Sequence, residues 1–280
     1  MSGTDRGRRS GASPDLLERG DPLTGLRTRL RDVIESGRGR LVLVCGEAGI
    51  GKSALVRAFC ARQRPPRMLW GACDALRTPR ALGPFVDIAE TAGGELAGAV
   101  AAAAAPSAVA AALAGELRRA PAIVVLEDLH WADEGTLDVL RLLARRIDSV
   151  PALVVATFRD DEAHGAHPLR VALGELPAGA VDRIALAPLS VEAVRTLAGG
   201  NGDAEELHRR TAGNPFFLTE VLAAGGDEIP DTVRDAVLAR AARLDEGGRT
   251  VLDAVAIEPA RTELWLLEAL AIDPAAGLDS

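Results

Sequence analysis

The chain has 280 residues, 48% hydrophobic and 26% charged, long enough for one large core and a smaller companion domain. A formal net charge of −8 excludes general affinity for nucleic acid or anionic membrane, and five phenylalanines with no tyrosine leave little surface for stacking on bases. Three cysteines (Cys45, Cys60, Cys73) without a CxxC pair exclude a disulfide framework or zinc knuckle and fit a reducing cytoplasm.

Residues 1–15 carry arginines but no apolar run behind them, so they read as a disordered leader, not a secretory signal. Apolar residues at 23, 26, 30, 33 and 34 keep helical spacing. "GRGR" then breaks to "LVLVC" (41–45), a continuous apolar run suited to a strand buried on both faces. A glycine-rich turn follows, and "SALVRAFCARQ" continues as helix. Further strands are predicted at 67–73, 121–128, 151–159 and 181–189. Residues 96–115 are uncharged and of bilayer length, but alanine supplies little transfer energy and Pro106 interrupts them. They predict an Ala-rich helical pair, not an anchor. Leu137, Leu140, Leu143 and Ile147 share one helical face. Strands alternating with helices imply a parallel sheet covered on both sides. After Ser190 the strand signal stops. Helices are predicted near 190–198, 203–212, 215–224, 231–243, 245–257 and 262–271, with Asp203, Asp231, Asp245 and Thr262 as N-caps and Gly213 as a stop.

Lys52 is the sole lysine beside 31 arginines, and it sits in Gly46-Glu47-Ala48-Gly49-Ile50-Gly51-Lys52-Ser53, a match to GxxxxGK[ST]. A buried strand before it and an amphipathic helix after it supply the context that a phosphate-binding loop needs. Backbone N–H groups of the loop, continuing to Ala54, and the positive helix N-terminus would cradle phosphate. Lys52 would bridge the β- and γ-phosphates as a compact point charge, and Ser53 would offer its hydroxyl to Mg²⁺. Arginine's planar fork is a poor substitute there, which explains the one retained lysine.

Such a loop needs acids on a neighbouring strand. "IVVLED" ends in Glu127, read as the Mg²⁺-side acid acting through water, and Asp128, read as the water-activating acid. The order is the reverse of the common one. At the end of the next strand, Thr157 and Arg159 would face the same crevice and read the γ-phosphate or the attacking water, unless Arg159 pairs with Asp160 or Asp161. His164 and His167 follow without an evident third ligand, so no metal site is expected there.

"GEAGIGKSALVRAF", "VVLEDLHWADEGTLDVL", "LVVATFRDDE", "LAPLS" and "TAGNPFFLTEVL" occur in this order. Together they resemble the STAND class of signalling ATPases, in particular the ATPase modules of large bacterial LuxR-type (MalT-like) regulators. The resemblance implies an ASCE/AAA-like P-loop NTPase with a parallel five-stranded sheet of order 5-1-4-3-2 over 16–189. It further implies an all-helical lid (190–226) and an incomplete winged-helix-like segment (227–280). Arg19 would line the adenine side and Pro215 would pack on the adenine. His130, Trp131 and Asp133 would form a structural and sensing element. The expected activity is slow, regulatory hydrolysis of ATP to ADP in the cytoplasm, with ATP/ADP and Mg²⁺ as ligands.

The alternatives are a DNA-binding regulator in its own right and an origin- or remodelling-type AAA ATPase. From Ile229 to Ser280 there are 10 Asp+Glu and 5 Arg, a net of 5 − 10 = −5, and "TELWLLEALAI" has no basic residue. That surface cannot neutralise DNA phosphates. Expected partners are a second copy of the chain or sensor and effector domains beyond it, with no DNA or membrane contact.

Overall fold

The computed structural model describes residues 16–63, 67–76, 78–162, 167–200, 202–225, 230–242, 244 and 246–257. In chain order it runs α1 (Gly20–Ser36), β1 (Arg40–Cys45), α2 (Lys52–Ala61), β2 (Arg67–Ala72), α3 (Gly83–Ala92), α4 (Gly94–Ala101), α5 (Pro106–Leu117) and β3 (Ala122–Glu127). It continues through α6 (Glu134–Ala144), β4 (Ala152–Phe158), α7 (Pro168–Gly174), β5 (Val181–Ala185), α8 (Val191–Leu197), α9 (Ala204–Thr211), α10 (Pro215–Ala223), α11 (Asp231–Ala241) and α12 (Glu246–Ile257).

The five strands form one sheet in the order β2-β3-β4-β1-β5, with every pair parallel. This is the predicted order read from the other edge. Because β1, β3 and β4 are buried on both faces, alternate residues serve two cores. Leu41, Leu43, Val124, Leu126, Val154 and Ala156 face the cluster that includes Phe85, Ile88, Leu113, Leu137 and Leu140. Val42, Val44, Ile123, Val125, Leu153 and Val155 face Leu26, Leu30, Val33, Leu55 and Phe59. The uncharged stretch forms α4 and α5, the second opening on Pro106, as its composition predicts. Among the described residues no helix is long and apolar enough to cross a membrane.

Parallel strands place their C-terminal ends along one rim, so Cys45, Glu127 and Phe158 lie on the same edge. There the loops that carry the chemistry begin. β5 is shorter than predicted: it stops at Ala185, and residues 186–190 lead into the helices instead. Those helices have an apolar cluster of their own, built from Leu189, Val194, Leu207, Leu218 and Val221. Asp203 caps α9 as its position predicts, accepting from the Glu205 and Glu206 N–H groups. Asp231 stands as the first residue of α11. The expectations for Asp245, Thr262, the 262–271 helix and the leader fall outside the described residues, as does His164.

Candidate active site

β1 ends at Cys45 and the chain turns at once, with φ positive at Gly46 (142°), Gly49 (80°) and Gly51 (97°). Side chains with a Cβ resist that region, so backbone geometry itself accounts for these glycines. α2 then starts at Lys52, which is 7% exposed. Its Nζ donates to the Gly46 carbonyl (2.6 Å) and to the Glu47 carbonyl (2.7 Å). Burial, followed by the nearby Arg159, pushes the Lys52 pKa down, and Asp128, Asp161 and Asp160 oppose the shift. A desolvated ammonium held by two neutral carbonyls gains by exchanging them for phosphate oxygens.

Glu127 closes β3 and is 5% exposed. Its Oε2 accepts from the Trp70 indole N–H of β2 at 2.9 Å and lies 3.4 Å from the Arg57 guanidinium on α2. Its Oε1 is buried with no hydrogen-bond partner among the described residues. An open, buried carboxylate oxygen suits a hard divalent cation, directly or through its water shell. Glu127 therefore fits the holding of Mg²⁺, and Ser53, expected to share it, is the second residue of α2.

Asp128 follows in the left-handed region (φ 57°, ψ 48°), which aspartate tolerates better than most residues. Its N–H donates to the Thr157 hydroxyl at 3.0 Å. Thr157, fully buried on β4, thus fixes the backbone of Asp128 and keeps its own hydroxyl proton for another acceptor. Burial first, then Glu127, pushes the Asp128 pKa up; Arg159 and Lys52 pull against it, and Glu162 adds to it. A carboxylate with a raised pKa is a stronger base.

Arg159 sits just past β4. Its guanidinium pairs with Glu162 rather than with Asp160 or Asp161. It lines a cleft of about 310 Å³ with Ala48, Gly49, Phe216 and Phe217. Between Glu162 and Asp128 lies His130, its side chain fully buried, with Nε2 3.8 Å from Glu162 and Nδ1 4.0 Å from Asp128. Trp131 tilts against the imidazole at 5.3 Å. Asp133 caps α6, accepting from the Thr136 N–H.

Arg19 is buried at 5% exposure and donates to the carbonyls of Ile50 (3.1 Å) and Ala187 (2.9 Å). It ties the leading segment to the phosphate loop and to the linker after β5. Glu18 adds a second tie, accepting from the Ser190 N–H at 2.9 Å and from the Ser190 hydroxyl. Pro215 is the first residue of α10, and the residue before it reaches the loop: the Asn214 side-chain amide donates to the Ala48 carbonyl at 2.8 Å.

The structure therefore gathers the loop, Glu127, Asp128, Thr157, Arg159 and the start of α10 at one rim. A larger polar cleft of about 600 Å³, lined by Arg38, Arg40 and Asp148, lies by the first residues of β1. That is the opposite end from the one where open α/β sheets bind ligands. Trp70, Arg57, Glu162, Glu18 and Asn214 belong to the site without being legible as such. Only the Asn-Pro pair of "GNPFF" carried a local signal, that of a helix cap.

A parallel sheet of this order with a glycine loop at one rim and a paired acid beside it defines a P-loop NTPase. The chain matches the AAA ATPase domain family over residues 15–155 and belongs to it; it is an AAA-type ATPase module. It is 30% identical over 257 residues to an uncharacterized protein of Rhizobium meliloti (strain 1021), covering 74% of this chain and 25% of that one. The chain thus spans about a quarter of the length of this curated relative. Among solved structures it is similar to the ORC2 protein of Aeropyrum pernix in its ADPNP-ADP complexes, at 14% identity, TM-score 0.58, and 92% and 80% coverage of the two chains. It also resembles a Signal Transduction ATPase with Numerous Domains (STAND) protein with a tetratricopeptide repeat sensor from Pyrococcus horikoshii. That similarity has 19% identity, TM-score 0.43, and 89% and 37% coverage.

Proposed function

We propose that this chain is an ATP-dependent switch of STAND type, in which residues 16–189 bind and slowly hydrolyse ATP and residues 190–226 act as a lid. The observation that carries the reading is the seating of α10 directly on the phosphate loop: Asn214 on Ala48, and the Phe216 N–H on the Gly49 carbonyl at 3.3 Å. A change in the loop must then be felt by the helices above it. The five ordered sequence blocks support the finer assignment to the ATPase modules of LuxR-type regulators, as part of a longer protein. The signal and the output would lie with sensor and effector segments.

Each residue's part follows from its surroundings. Lys52 leaves the Gly46 and Glu47 carbonyls for the β- and γ-phosphates. Glu127 and Ser53 hold Mg²⁺, which when bound neutralises charge on the phosphate oxygens. Asp128, its pKa raised and its backbone fixed by Thr157, takes the proton of the attacking water. Arg159, held by Glu162 and near enough to Lys52 to push its pKa down, meets the γ-phosphate. Arg19 and Pro215 complete the adenine end, a part that rests on the resemblance of their segments to STAND modules.

The test separates the two acids. Asp128→Asn should bind ATP yet hydrolyse it at least tenfold more slowly, since general base catalysis contributes about 10²–10⁴-fold. Glu127→Gln should instead raise the Mg²⁺ concentration needed. Exchanged phenotypes would reverse the two roles. Limited proteolysis at Arg209 or Arg210 should differ among the empty, ADP and ATP forms; identical patterns would remove the switch and leave the ATPase.

A further inference from the structure

Asn214 is 3% exposed, and its side chain is used on both sides. Its Oδ1 accepts from the Phe216 N–H at 3.1 Å, capping α10, while Nδ2 donates to the Ala48 carbonyl at 2.8 Å. These partners fix the orientation of the amide, because only the nitrogen can serve a carbonyl and only the oxygen can serve an N–H. Gly49 lies so close beneath that a Cβ there would stand 2.7 Å from Asn214 Oδ1 and 2.8 Å from Phe216 Cβ. Gly49 occupies one of the four unrestricted positions of GxxxxGK[ST], so phosphate binding alone does not require a glycine there. Its left-handed backbone (φ 80°) and the closeness of α10 both do.

The peptide between Ala48 and Gly49 is trans. In a planar trans peptide the C=O and the following N–H point in opposite directions. Holding the Ala48 carbonyl toward α10 therefore turns the Gly49 N–H away from α10, to the other side of the loop. Resting on the reading of this loop as a phosphate cradle, we infer that Asn214 is a positioning residue for it. Its amide sets the Ala48–Gly49 peptide so that the Gly49 N–H faces the phosphates, and nucleotide affinity depends on a side chain that touches no nucleotide. The dependence runs both ways: what fixes the loop also fixes α10, so phosphate binding and lid docking support each other.

Asn214→Asp separates this role from capping. Aspartate caps a helix as well as asparagine does. It has no donor, however, and its carboxylate would oppose the Ala48 carbonyl. Asn214→Ser keeps a capping hydroxyl too short to reach Ala48. Affinities for MgATP and MgADP should be measured by calorimetry on wild type and both variants, with unfolding temperatures taken without nucleotide. Asn214→Asp should weaken both nucleotides about tenfold and Asn214→Ser about threefold, the size of one lost or opposed hydrogen bond. ATP hydrolysis should show KM rising with kcat little changed, and cleavage at Arg209 or Arg210 in the empty protein should quicken. A general loss of folding would lower the unfolding temperature and kcat together and would overturn the inference. So would wild-type affinity in Asn214→Asp. A wild type that binds neither nucleotide would overturn the cradle reading and this inference with it; a binding wild type beside an unchanged Asn214→Asp overturns this inference alone.

Discussion

Replacing Trp70 by phenylalanine removes one N–H and leaves an aromatic ring in its place. In the intact protein that N–H reaches Glu127 Oε2 at 2.9 Å. The remaining neighbour, Arg57, stands 3.4 Å away with its side chain 66% exposed, so water screens most of its pull. The other carboxylate oxygen has no partner among the described residues. The indole bond therefore carries most of what holds this buried carboxylate, and a hydrogen bond to a charged group contributes about 1.5–3 kcal/mol. For a domain of this size each kcal/mol moves Tm by roughly 2–4 °C, so scanning calorimetry without nucleotide should show Trp70→Phe melting about 3–12 °C lower. A second readout concerns function. A carboxylate no longer pinned is aimed less well, and the Mg²⁺ concentration for half-maximal ATP hydrolysis should rise several-fold. In a Glu127→Gln background the same substitution should cost less, about 0.5–1.5 kcal/mol, because the amide oxygen still accepts the indole N–H but carries no charge. An unchanged Tm together with an unchanged Mg²⁺ requirement would show that the indole does not hold Glu127, and the argument for its open oxygen would fall.

The raised pKa of Asp128 means that the folded protein favours its protonated form, so the ionised group costs stability above that pKa and the cost fades as pH falls through it. Asp128→Asn should accordingly melt higher than wild type at neutral pH while losing hydrolysis, and the acid limb of the wild-type pH–rate profile should lie above the ordinary aspartate value of 3.8. Glu18 shifts the other way: the Ser190 hydroxyl and N–H lower its pKa, so its clamp holds fully above 4.5 and is lost as pH falls through the lowered value. Hydrogen exchange in α8 should quicken over that acid range in wild type and show no such step in Ser190→Ala. Reductive methylation can reach only Lys52 and the N-terminal amine, and saturating ATP should slow the reaction at Lys52, as read by mass spectrometry; equal rates with and without ATP would count against its place on the phosphates.

Much of the sheet was legible because its strands are buried on both faces and read as unbroken apolar runs. The phosphate loop was legible because its spacing is dictated by backbone geometry. α3 and α7 were not anticipated. Each is short, and each makes its case through burial: Phe85 and Ile88 of α3, and Leu169 and Ala172 of α7, join the same cluster under the sheet. The extra length predicted for β5 came from apolar residues that continue past Ala185, but Leu186 and Leu189 turn to different clusters instead of extending the strand. In the candidate site, the spacing of the loop singles out Lys52, and the end of an apolar strand singles out Glu127 and Asp128; the structure sets all three on the rim where the sequence expects them. Trp70, Glu162 and Asn214 were not, since each acts through a contact made across the fold, 57 residues from Glu127 in one case and 166 from Ala48 in another. The pairing of Arg159 with Glu162 shows the limit at shorter range: three carboxylates follow the arginine, and only the bend after β4 selects the third.

The solitary lysine also gives the chain a single cutting point for a protease that cleaves only after lysine. That bond, Lys52–Ser53, lies in the first turn of α2, beneath the loop and beside a fully packed Leu55. Fraying of an end or opening of a surface turn leaves it out of reach, because a protease needs an extended stretch on either side of the bond. Cleavage would thus wait for α2 to come away from the sheet, and its rate would report the opening of the whole nucleotide-binding core. Arginine-specific cleavage, with 31 possible sites spread over the chain, would report the looser surface instead. The two enzymes together would time separate layers of the same molecule.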